Sequence, residues 1–84
     1  MTHVPHELHE ELPEFAERIH ALKLSDAHFA RLAERYHELN RAIHRAEALV
    51  EPMDDMALET LKKERLALLD EIRAILKRDA ADAV

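Results

Sequence analysis

A chain of 84 residues, nearly half of them apolar and only three aromatic (Phe15, Phe29 and Tyr36), holds one small domain at most. Glycine, cysteine and tryptophan are absent, which excludes a disulfide framework, a thiolate nucleophile and the glycine loops that cradle phosphate. The net charge of −6 disfavours phosphate backbones and anionic membranes as partners.

The first twelve residues are acidic and rich in histidine, and they contain Pro5. They read as a flexible arm outside the packed region. They lack the basic start and apolar run of a secretory leader, and nowhere do about eighteen apolar residues follow one another, so a cytoplasmic location without a membrane span is expected. His3, His6 and His9 are spaced by three, a weak candidate metal set, since helical geometry would bring such imidazoles together. The alternative is a hydrophilic arm with no metal.

A seven-residue apolar repeat then organises the chain: Leu8, Phe15, Leu22, Phe29, Tyr36, Ile43 and Val50. Such spacing places side chains on one winding helical stripe. Companion positions fall four residues later at Leu12 and Ile19, then three residues later at Leu32, Leu39 and Ala46, so the seam changes side between Lys23 and Asp26. The pattern predicts a short helix over 13–23, opened by Pro13, and a long one over 26–49, with Ser25 as its N-cap. One kinked helix over the same span fits the pattern as well.

Pro52 ends the long helix, and Asp54 or Asp55 can cap a last one over 54–77. The turn at 50–53 is too short for anything but antiparallel neighbours. The expected fold is therefore all-α: an antiparallel, coiled-coil-like helical hairpin over residues 13–79 with a short extra N-terminal helix, and a frayed tail at 80–84. Its predicted core is Phe29, Leu32, Tyr36, Leu39 and Ile43 against Leu58, Leu61, Leu68, Ile72 and Ile75. Two helices bury one stripe each, which leaves Leu66, Leu69 and Leu76 without a partner inside the hairpin. They form the predicted interaction surface.

Ser25, Asn40, Arg65 and Asp70 are the polar residues expected to act structurally. Arg65 falls inside the seam, where its stem can pack while its guanidinium seeks Asn40 or the Tyr36 hydroxyl. Asp70 also lies near the seam, where a charge can fix register. Ser25-Asp26-x-His28 invites a nucleophile reading, but it offers no oxyanion donors, and capping explains the serine better. His37 and His44 share an outer face with Glu34, Glu38, Arg41 and Arg45, the pattern of a solvated surface. The basic cluster Lys62, Lys63 and Arg65 is too small for a nucleic-acid footprint.

Three stretches carry a family resemblance: HELHEELPEF, IHALKLSDAHFARLAERYHELNRAIHRAE and LKKERLALLDEIRAIL. Together, from His6 to Lys77, they resemble the YdcH-like bacterial proteins, a family of unknown function. The most specific block is Ser25-Asp26-Ala27-His28-Phe29, followed by Tyr36-His37-Glu38 and Ile43-His44-Arg45-Ala46-Glu47. The resemblance implies a helical hairpin and supplies no catalytic residues. This chain has Leu12 where relatives usually carry phenylalanine and Leu69 where they carry lysine. The second change makes the last helix greasier and favours self-association. The functional expectation is a non-catalytic interaction module, engaging a copy of itself or a helical partner, with no cofactor, nucleic acid or small-molecule substrate. The alternative is a metal- or pH-responsive regulator using its seven histidines.

Overall fold

The computed structural model describes residues 6–48 and 53–82. Helix α1 spans Leu8–Glu11, a 3-10 turn follows at Pro13–Phe15, α2 spans Ala16–Ser25, α3 spans Ala27–Glu47 and α4 spans Asp55–Asp82. No strand occurs among the described residues.

Local chemistry sets the boundaries. Leu12 precedes a proline, which pushes it off helical geometry (φ −130°, ψ 60°), and Pro13 then opens the next turn, where its missing N–H costs nothing. Asp26 is extended (φ −129°, ψ 106°) and separates α2 from α3, so two helices form rather than one kinked helix. The cap of α3 is Asp26 and not Ser25: the Phe29 N–H donates to Asp26 Oδ1 at 3.1 Å. Ser25 is instead the last residue of α2, and its hydroxyl donates to the Ala21 carbonyl at 3.0 Å. A carboxylate one residue further on outcompetes the hydroxyl because it lies directly before the first orphan N–H groups of α3. At the start of α4 the Asp54 carbonyl accepts from the Leu58 N–H at 2.9 Å. The predicted turn at 50–53 lies mostly outside the described residues, and α4 runs on to Asp82, past the point where fraying was expected.

Helices α3 and α4 form the hairpin. Their antiparallel register is marked by Lys62 Nζ at 3.1 Å from Glu47 Oε2, by Arg65 Nη1 donating to Asn40 Oδ1 at 2.9 Å and by Arg35 Nη2 donating to Glu64 Oε2 at 2.6 Å. On α3 the buried stripe is Phe29, Ala33, Tyr36, Leu39, Asn40, Ile43 and Ala46, which share one face of the helix. On α4 Ile72 and Leu76 are fully buried, while Leu58, Leu61, Leu68 and Ile75 are half-buried, as is Leu32 on α3.

The N-terminal segment changes the picture drawn from periodicity. Helices α1 and α2 fold back along α3 and cover one end of the hairpin. Leu8, Leu12 and Ile19 join Phe29, Ala33, Tyr36, Ile72 and Leu76 in a single core cluster. Arg18 Nη1 donates to Asp79 Oδ2 at 2.7 Å and ties α2 to the far end of α4. The packed region thus starts near Leu8 rather than at residue 13. Leu76 lies in the core, and Leu69 is half-buried against it, so neither is free to form an interaction surface. The physical reason is complementarity: the leucines that α3 cannot cover are covered by leucines from the segment before α2. Among the described residues, the other end of the hairpin is two helices thick. The molecule measures 46 × 28 × 20 Å. Its accessible surface is 5870 Å², against about 5,100 Å² for a compact chain of this size.

Candidate functional site

Three places in this fold carry unusual chemistry: the N-terminal strap on α3, the polar pair inside the hairpin and the bare flank of α4.

The strap is held by its backbone as much as by its leucines. His6 has a left-handed backbone (φ 64°), a conformation that few non-glycine residues adopt. Its carbonyl accepts the Tyr36 hydroxyl at 2.5 Å. Its ring Nδ1 lies 2.6 Å from Glu11 Oε1, and His37 Nδ1 lies 3.0 Å from Glu7 Oε2. The Glu7 N–H donates to Glu10 Oε1 at 3.3 Å and closes the first turn. His37, expected on a solvated face, is therefore half-buried against the strap. Beside it a cleft of about 580 Å³ opens between α1, α2 and α3, with Glu7, His9, His20, Lys23, Glu34 and His37 around an apolar floor that includes Ile19 and Ala33.

The predicted metal set does not assemble within the described region. His3 lies outside the described residues, His6 is engaged by Glu11, and His9 is exposed. No three histidine, aspartate or glutamate side chains among the described residues could hold a metal ion together. Nor does the fold align Ser25, Asp26 and His28: the first two are committed to helix ends, as given above, and His28 is exposed.

Burial pushes the Tyr36 phenol up to about 12, with the nearby Glu11, Glu7 and Glu10 carboxylates adding to the rise and Arg65 opposing it. An acid whose neutral form is favoured in the folded state contributes stability that is fully present below the ordinary tyrosine range, near 10, and is lost as the pH climbs towards 12. Tyr36 is the only tyrosine and tryptophan is absent, so tyrosinate absorbance reports this one group. The expected titration midpoint is about 12. A midpoint at the value of a free tyrosine would show that the strap does not cover the ring.

The second place is the polar pair. Asn40 is 1% exposed and takes a hydrogen bond from Arg65. Of the two acceptors open to Arg65, the structure selects Asn40. Asp70, grouped with these residues by sequence, is exposed and pairs only with Arg73 on its own helix, at 3.2 Å. It plays no part in the seam, because it points to the opposite side of α4.

The third place is the flank of α4 beyond the strap. Leu66 is 59% exposed there, and Met56, nearer the start of the helix, is 78% exposed. Sequence reasoning found Leu66 by elimination. It missed Leu8, Leu12 and Ile19 as core, although the apolar repeat had already marked all three. The usable signal was that two unpartnered leucine sets, Leu8 with Leu12 and Leu69 with Leu76, occur in one short chain.

No helix among the described residues is long and apolar enough to cross a membrane. The family described as "Protein of unknown function (DUF465)" matches residues 29–76, in agreement with the YdcH-like resemblance. No curated protein matches the chain, and no solved structure does.

Proposed function

The chain belongs to that family of proteins of unknown function, and on this premise we propose that it acts without catalysis, as a helical module that associates with another helical surface. One observation carries the reading. Leu66 is 59% exposed on α4, outside the core cluster that the N-terminal helices form with the hairpin. Exposed Leu66 and half-buried Leu69 stand side by side on α4, and association would remove their apolar surface from water. The surface in excess of a compact shape supports the same reading, since an elongated hairpin offers long faces for docking.

The test is Leu66→Lys, compared with the unchanged chain by in-cell crosslinking and by light scattering after gel filtration. The substitution is expected to leave the helical circular dichroism intact and to abolish both crosslinked species and any assembly. Assembly and crosslinks that persist unchanged in Leu66→Lys would remove the reading.

A further inference from the structure

We propose that the occupant of the bare face is a second copy of this chain, docked antiparallel along α4 about a two-fold axis at Leu66. This deepens the association reading and rests on it.

Charge and spacing along α4 single out this occupant. Steps of seven residues from Leu66 reach Glu59 in one direction and Arg73 in the other. Steps of eleven reach Asp55 and Lys77. Seven and eleven residues are close to two and three helical turns, so all five side chains share one face of α4. Lys63 and Asp70 flank Leu66 on the same side. The stripe is therefore acidic at its start, basic at its end, and nearly antisymmetric in charge about its one large apolar residue.

Laid against a second copy in the opposite direction, each charge meets its opposite. Glu59 stands level with Arg73 of the copy, Asp55 with Lys77, and Lys63 with Asp70 nearby, while Leu66 meets Leu66. Glu59 and Arg73 lie about 10 Å on either side of the axis, which puts both inter-copy pairs within one helical face. A parallel arrangement would set every charge against its like and is disfavoured. The exposed groups are available. Glu59, Lys63 and Lys77 are exposed and have no ion-pair partner among the described residues. Arg73 holds only Asp70 of its own helix, at 3.2 Å, and the docked copy extends that contact into a run of Lys63, Asp70, Arg73 and Glu59 of alternating sign. The contact is isologous, so it closes at two copies. One helical stripe buries less than the roughly 800 Å² per partner of a standard interface, so the dimer is transient and salt-sensitive.

The test uses the full chain and three samples besides it: Glu59→Lys, Arg73→Glu and their equimolar mixture, in sedimentation equilibrium over a dilution series reaching millimolar concentration. The unchanged chain is expected to dimerise. Each single substitution sets like charges together twice in its own dimer and is expected to weaken it about tenfold or more. The mixture is expected to recover association. In the mixed dimer the lysine introduced at position 59 of one variant faces the glutamate introduced at position 73 of the other, and the native Glu59 faces the native Arg73. That recovery could not come from a variant that had merely lost its fold. A chain that stays monomeric throughout, single variants that dimerise as well as the unchanged chain, or a mixture that fails to recover each overturns the antiparallel dimer. If the chain is monomeric yet a different protein crosslinks to it and is lost on Leu66→Lys, the dimer falls and the association reading stands. If nothing associates by either method, both fall.

Discussion

Leu12→Ala is expected to destabilise the chain by about 2–5 kcal/mol, the range for truncating a fully buried leucine when the site collapses only in part. Leu12 is 1% exposed and sits in the cluster with Ile19, Phe29 and Leu76. A domain of this length is held by roughly 4–13 kcal/mol in total, so the loss is a large share of its stability. In thermal unfolding followed by far-ultraviolet circular dichroism, Tm should fall by at least about 10 °C. Leu66→Ala is the control. The same change of side chain at a residue 59% exposed should alter stability by no more than about 0.5 kcal/mol. The comparison separates two accounts of the N-terminus. An arm outside the domain would make Leu12→Ala as silent as Leu66→Ala, and that outcome would refute the docked strap. Its docking also bears on Leu69 and Leu76, which would be bare if it were absent.

Arg65→Met is expected to cost about 1–3 kcal/mol, because it removes the hydrogen bond to the buried Asn40 amide oxygen while keeping an apolar stem of similar length. Asn40→Leu alone should cost a comparable amount, since the guanidinium then loses a buried acceptor. The double substitution should cost less than the sum, because the contact between the two side chains can be lost only once. A double-mutant cycle in urea measures the coupling directly. Additive losses would mean that the contact contributes nothing of its own. The pair's value lies in register. Sliding α4 by one turn along α3 would still bring leucine to leucine in much of the seam, but it would carry Arg65 about 5 Å away from Asn40. The polar contact therefore penalises the slipped hairpins that a repetitive apolar stripe tolerates.

Arg65 was visible as a seam residue, but its choice between Asn40 and the Tyr36 hydroxyl was not. That choice depended on where the hydroxyl goes, and Tyr36 turns it to the His6 carbonyl on the strap. A bond spanning 30 residues leaves no trace in any local window. The cap of α3 illustrates a smaller limit. Ser25 and Asp26 are adjacent and both are good caps, so propensity alone could not rank them, and a one-residue difference in where the backbone becomes extended decided it.

The hairpin itself was legible because it is a local affair. Periodicity at Phe29, Tyr36 and Ile43 sets which face of α3 is apolar, the matching positions on α4 set its partner face, and a short connection leaves only the antiparallel pairing. Those properties are written in neighbouring residues. What covers the hairpin is not, since an apolar side chain carries the same signal whether it meets water, a second copy or its own chain. Only the path of the backbone decided that Leu76 is covered and Leu66 is not: Leu8 and Leu12 pack with Leu76 in one cluster, while Leu66 stays 59% exposed.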